Sequence, residues 1–123
     1  MDMRDCYRGC LLGGAAGDAL GYPVEFLSLR AIRERYGASG ITDCVLQDGV
    51  AQISDDTQMT LFTANGLLYF ETRRRNGASG GGSLVGTMSA FYGDWLYTQQ
   101  ERYQPEKQNR TAWLVNVPEL FHR

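Results

Sequence analysis

A chain of 123 residues is long enough for one domain around one hydrophobic core. With 43% hydrophobic and 21% charged residues it reads as a globular protein, and a net charge of −2 excludes the basic footprint of a nucleic-acid binder. No apolar run has the length of a membrane span, and the opening MDMRDCYRGC lacks the apolar centre of a signal peptide.

The apolar and small residues Cys6, Tyr7, Cys10, Leu11, Gly14 and Ala15 recur at three and four, which predicts a first helix over residues 4–20. Gly13, Gly14 and Gly17 each weaken it by up to about 1 kcal/mol, a cost that close approach of another backbone would justify. Gly21-Tyr22-Pro23 ends it. A short second helix is expected over 28–36, with Ser28 as cap and Gly37 as stop. Residues 37–53 are turn-rich, and Asp48-Gly49 signals a small hairpin. The third helix should cover 55–75. Met59, Phe62, Gly66, Tyr69 and Phe70 form one stripe, and Leu61, Ala64 and Leu68 a second, so burial on most sides is expected. Arg73-Arg74-Arg75 closes it, where cations suit the helix dipole; an anion-binding patch is the alternative. NGASGGGS, residues 76–83, reads as a flexible connector. A fourth helix follows over 84–99, with Leu84, Met88, Phe91 and Trp95 at helical spacing. Residues 111–120 begin another, which Pro118 interrupts or caps. The sum is an all-α chain in a single domain, residues 1–123.

Cys6, Cys10 and Cys44 are too few and too unevenly placed for a disulfide framework, which predicts a reducing, cytoplasmic setting. With His122 they could in principle hold zinc, but the paired CxxC spacing is absent. One histidine also argues against a Ser-His-Asp system, and no cysteine has an evident activating partner.

Two segments can carry chemistry. In GGAAGDALGYPVEF, residues 13–26, neither the Gly-Lys-Ser/Thr ending of a phosphate loop nor GxGxxG is present. Its acidic residues, Asp18 and Glu25, have ordinary alternatives as a local hydrogen-bond acceptor and a solvated side chain. In ISDDTQM, residues 53–59, Ser54, Asp55 and Asp56 put three hard oxygen side chains where a loop becomes a helix. That suits a Mg²⁺-type cation. It equally suits a helix cap worth about 1 kcal/mol, with Ser54 or Asp55 at the N-cap, Asp55 and Gln58 as a capping box, and Asp56 against the dipole. Consecutive anions beside a buried helix repel one another without a compensating cation or donor. From the residues alone both roles stand.

Taken in order and at their spacing, RGCLLGGAAGDALGYPVEF (residues 8–26), GITD (40–43) and ISDDTQM, with YGDWLYTQ and WLVNVPEL more weakly, resemble the ADP-ribosylglycohydrolase family. The resemblance covers most of the chain and implies an all-α orthogonal helical bundle. It implies that Ser54, Asp55 and Asp56 are ligands of a pair of Mg²⁺ or Mn²⁺ ions, that Glu25 and Asp56 are the catalytic residues, and that Asp18 supports the site. The expected activity is hydrolysis of the glycosidic bond between ADP-ribose and an ADP-ribosylated protein or small-molecule conjugate, with no nucleic-acid or membrane partner. One departure stands out. The family's second aspartate-rich metal segment, near its C-terminus, has no counterpart here, so the chain resembles an N-terminal portion, with a bundle incomplete at the C-terminus. Weak metal affinity, doubtful activity of this segment alone and uncovered apolar faces on the third and fourth helices follow. The alternatives are a non-catalytic structural or binding relative on the same fold, and a helical interaction module in which Ser54 to Asp56 only cap a helix.

Overall fold

The structure, a computed structural model, describes residues 2–77, 82–107 and 110–121. His122 and residues 78–81 of the connector at 76–83 lie outside them. The chain divides into two compact units, residues 1–57 and 58–123.

The first unit opens with α1, Met3–Gly21. Asp2 caps it, its carboxylate accepting from the Arg4 N–H at 3.2 Å. Proline cannot continue the helix, and the chain tightens into a 3₁₀ turn at Tyr22–Val24 that ends on Glu25. Helix α2, Leu29–Tyr36, starts at Ser28, whose hydroxyl accepts from the Ala31 N–H at 3.2 Å, and stops at Gly37. The expected hairpin is present: β1, Leu46–Gln47, pairs antiparallel with β2, Val50–Ala51, with Leu46 opposite Ala51. Asp48 (φ 51°) and Gly49 (φ 81°) both lie in the left-handed region, as a two-residue turn matched to strand twist requires. The unit ends in the first turn of α3, Asp55–Arg75.

Among the described residues no other backbone packs closely against the glycines of α1. A methyl group added at Gly13, Gly14 or Gly17 would meet nothing within 4 Å. Among the described residues, then, packing gives no reason for these glycines.

In the second unit, the rest of α3 and helix α4, Leu84–Gln100, contribute Phe62 and Phe91 to a core completed by Ala112, Val115, Leu120 and Phe121 of the C-terminal segment. Ser83 caps α4 through the Gly86 N–H at 3.0 Å. Gly66 is required by the packing of α3. A methyl there would collide with the Met88 methyl and sit 3.2 Å from the fully buried Phe91 ring. The expected burial of α3 on most sides is not realised, because Leu67 is 47% and Leu68 61% exposed. On α4, Val85 and Leu96 are exposed as well, in keeping with uncovered faces on both helices.

The segment at 111–120 is not an α-helix. It makes two 3₁₀ turns, Trp113–Asn116 and Pro118–Leu120. Pro118 supplies no N–H and breaks the repeat, while Asp94 anchors the segment from the side. That carboxylate is 5% exposed, accepts from the Thr111 and Ala112 N–H groups at 3.1 and 2.8 Å, and pairs with Arg110 at 3.6 Å. These bonds hold Val115 and Leu120 in the core. Sequence reasoning missed Asp94. The available signal was a charged residue on the buried stripe of α4, beside Phe91 and Trp95.

Candidate functional site

The two acidic segments meet within the first unit. Asp18, in the last turns of α1, turns its carboxylate onto the start of α3, where its Oδ2 accepts from the Ser54 N–H at 2.8 Å, the Thr57 N–H at 3.3 Å and the Thr57 hydroxyl. Ser54 supplies the cap itself. Its Oγ accepts from the Asp56 N–H at 3.1 Å. A helix start leaves its first N–H groups without intrahelical partners, and here an internal side chain and a remote one share them. The capping box expected from Asp55 and Gln58 does not form. Gln58 is 1% exposed, and its Oε1 accepts from the Trp95 indole and the Gln99 amide, each at 3.0 Å.

Burial pushes the Asp18 carboxyl up, but the side-chain and backbone hydrogen bonds from Ser54 and Thr57 together outweigh it, and its pKa lies below the ordinary value of 3.8. Asp18 is thereby held as the anion. Thr57, which sequence reasoning gave no role, donates twice to it and is 7% exposed. A threonine in a first helical turn carries no signal of such a role, because its partner lies 39 residues away.

A cleft of about 360 Å³ opens beside this joint, lined by Gly17, Asp18, Gly21, Tyr22, Glu25, Ser54 and Asp56. Glu25, exposed at the end of the 3₁₀ turn, reaches it because Pro23 bends the chain after α1. Asp56 reaches it from the first turn of α3. Asp55 is exposed on the same turn and is not among the lining residues. Of the expected site residues, Glu25, Ser54 and Asp56 therefore share one cleft with Asp18. Bare helix backbone at Gly17 and Gly21 forms part of the wall.

These are hard oxygen donors, the right kind for a Mg²⁺- or Mn²⁺-type ion. Their number is short. Among the described residues no three His, Cys, Asp or Glu side chains gather as a metal-holding group. Asp18 is committed to α3, and one lone pair of Ser54 to the cap. The carboxylates of Glu25 and Asp56 remain toward the cleft, able to bind sugar hydroxyls, accept a proton or share a cation. The three cysteines are free thiols and form no zinc group among the described residues.

An uncharacterized protein of Archaeoglobus fulgidus is 37% identical over 76 residues, a match that covers 56% of this chain and 24% of that protein. No solved structure matches. Among the described residues no helix is long and apolar enough to cross a membrane. The sequence model of the ADP-ribosylglycohydrolases matches residues 1–118, nearly the whole chain, and its all-α fold is the one described above; the chain belongs to the ADP-ribosylglycohydrolase family.

Proposed function

We propose that the cleft is one half of a hydrolytic centre that releases ADP-ribose from a modified protein or small molecule, with Mg²⁺ or Mn²⁺ as cofactor. The observation that carries this reading is the three-way grip of Asp18 on Ser54 and Thr57, which unites the two acidic segments around a single cleft. Asp56 and the free lone pair of Ser54 would hold metal at the cleft, and Asp55, exposed on the same turn but off the cleft wall, would join them by turning its side chain inward. When bound, such ions polarise ribose hydroxyls and acidify water. Glu25 takes the proton from the attacking water, since it is exposed at the cleft and carries no competing hydrogen bond or ion pair among the described residues. Asp56 orients the ribose hydroxyls, and Asp18 keeps the first turn of α3 in place while charge develops on the sugar.

The test is Mn²⁺ binding by the purified chain, read from loss of the free-ion electron paramagnetic resonance signal. Asp55→Asn and Asp56→Asn should each weaken binding about tenfold or more, the scale of one lost charged ligand. Glu25→Gln should leave Mn²⁺ binding within a few-fold and abolish any release of ADP-ribose from a modified peptide. Equal Mn²⁺ affinity in all three variants and the unaltered chain would sink the metal assignment. Release at the unaltered rate in Glu25→Gln would remove that residue from the reaction.

A further inference from the structure

A second cavity, of about 330 Å³, lies in the other unit, lined by Asn65, Leu68, Tyr69, Thr72, Arg73 and Trp113. Two of its groups are unexplained by the fold. Asn65 is 3% exposed, yet among the described residues its Oδ1 has no hydrogen-bond partner. A buried acceptor left unpaired carries its full desolvation cost, so a donor from outside is called for. Arg73 is the second. Its neighbours Arg74 and Arg75 both pair with Glu71, at 2.8 and 2.7 Å. Arg73 has no carboxylate among the described residues. It lies over the Tyr69 ring at 5.5 Å and donates one hydrogen bond, to the Tyr69 hydroxyl at 3.0 Å. That contact steadies a planar fork whose other donors have no partner among the described residues. Trp113, 62% exposed, and Leu68, 61% exposed, supply an apolar flank with no cover.

We propose that this cavity binds a small planar aromatic carboxylate. Arg73 grips the carboxylate, Trp113 and Leu68 take the ring, and a polar substituent opposite the carboxylate pairs with the Asn65 carboxamide. Size and spacing both fit. The cavity has room for roughly ten non-hydrogen atoms, taking about 30 Å³ for each water-sized group. Asn65 and Arg73 are separated by about 12 Å of helix rise. The Arg73 side chain folds back one turn to reach Tyr69, which leaves a gap that one para-substituted ring spans. An apolar lining with a few convergent polar groups is the ordinary make-up of a small-ligand site. The cavity lies outside the carboxylate cleft, and the inference is independent of the hydrolytic reading.

The probe is 4-hydroxybenzoate, titrated into the ¹⁵N-labelled chain. The chain has two tryptophans. The Trp95 indole N–H is bonded to Gln58 and serves as an internal control. The Trp113 indole N–H should shift saturably while that of Trp95 stays. The uncharged 4-hydroxybenzamide should bind about tenfold more weakly, as loss of a charge-assisted pair requires. Benzoate, lacking the hydroxyl that meets Asn65, should bind several-fold more weakly. Arg73→Gln should match the tenfold loss, and Arg74→Gln should not. An unmoved Trp113 signal, equal affinity for either analogue, or an undiminished affinity in Arg73→Gln overturns the proposal. So does saturable binding of an acidic, phenylalanine-bearing peptide in the absence of binding by the free acid. The analogue comparison uses the unaltered chain, so it decides the matter even if a variant folds poorly.

Discussion

Removing the Asp18 carboxylate probes the joint on which the cleft depends. One oxygen of Asp18 accepts three bonds from the start of α3. A single hydrogen bond to a charged group contributes about 1.5–3 kcal/mol, but three sharing one oxygen at a partly buried site do not add. Loss of an N-cap costs about 1 kcal/mol, and loss of an anion at a helix N-terminus about 0.3–1 kcal/mol. We expect Asp18→Ala to lose about 2 kcal/mol and Asp18→Asn, which keeps an acceptor without the charge, about half of that. Thr57→Val, which deletes one donor, should lose about 1 kcal/mol. The effect has a definite pH dependence. The folded carboxyl lies below its ordinary value of 3.8, so its contribution is fully present above that value and is lost as pH falls through the folded value. Denaturant unfolding followed by circular dichroism gives the size, and amide hydrogen exchange at Ser54 and Thr57 gives the place. The reasoning is refuted if Asp18→Ala is as stable as the unaltered chain near neutral pH, or if the difference persists undiminished in strong acid.

Two further outcomes follow from the second unit. Gly66→Ala gains about 1 kcal/mol of helix propensity but forces a methyl against Met88 and the Phe91 ring. Met88 can swing aside and the fully buried Phe91 cannot, so the variant should be less stable by about 1 kcal/mol in thermal unfolding; a rise in melting temperature would show that the core yields. Asp94→Ala leaves the N–H of Ala112, a fully buried residue, unpaired, and should lose about 3 kcal/mol with early loss of protection at residues 111–120; a loss below about 1 kcal/mol would mean that the segment is held by its apolar contacts alone.

Local features of the chain were legible where local physics decides them. Ser28 and Gly37 bound α2, Asp48-Gly49 turns the hairpin, and α3 runs over the residues its apolar spacing marks, because caps, turns and periodicity involve neighbours within a few positions. The same logic failed at 111–120, where apolar spacing suggested a helix and Pro118 with the remote Asp94 made two tight turns instead. It failed again at Gln58, whose capping pattern is real in the sequence but whose amide is drawn into the core by Trp95 and Gln99.

The order of the two acidic segments, their hard-oxygen character and the all-α class are properties of the sequence by itself, and with them the family to which the chain belongs. Tertiary structure alone decided which side chains meet. Asp18 finds Ser54 across 36 residues, Glu25 and Asp56 come to one cleft while Asp55 is left off its wall, and Asn65 and Arg73 line a second cavity. The physical reason is range. Backbone preference acts over a helical turn, whereas a carboxylate's partner is chosen by whatever donors the packed chain leaves unsatisfied within hydrogen-bond reach.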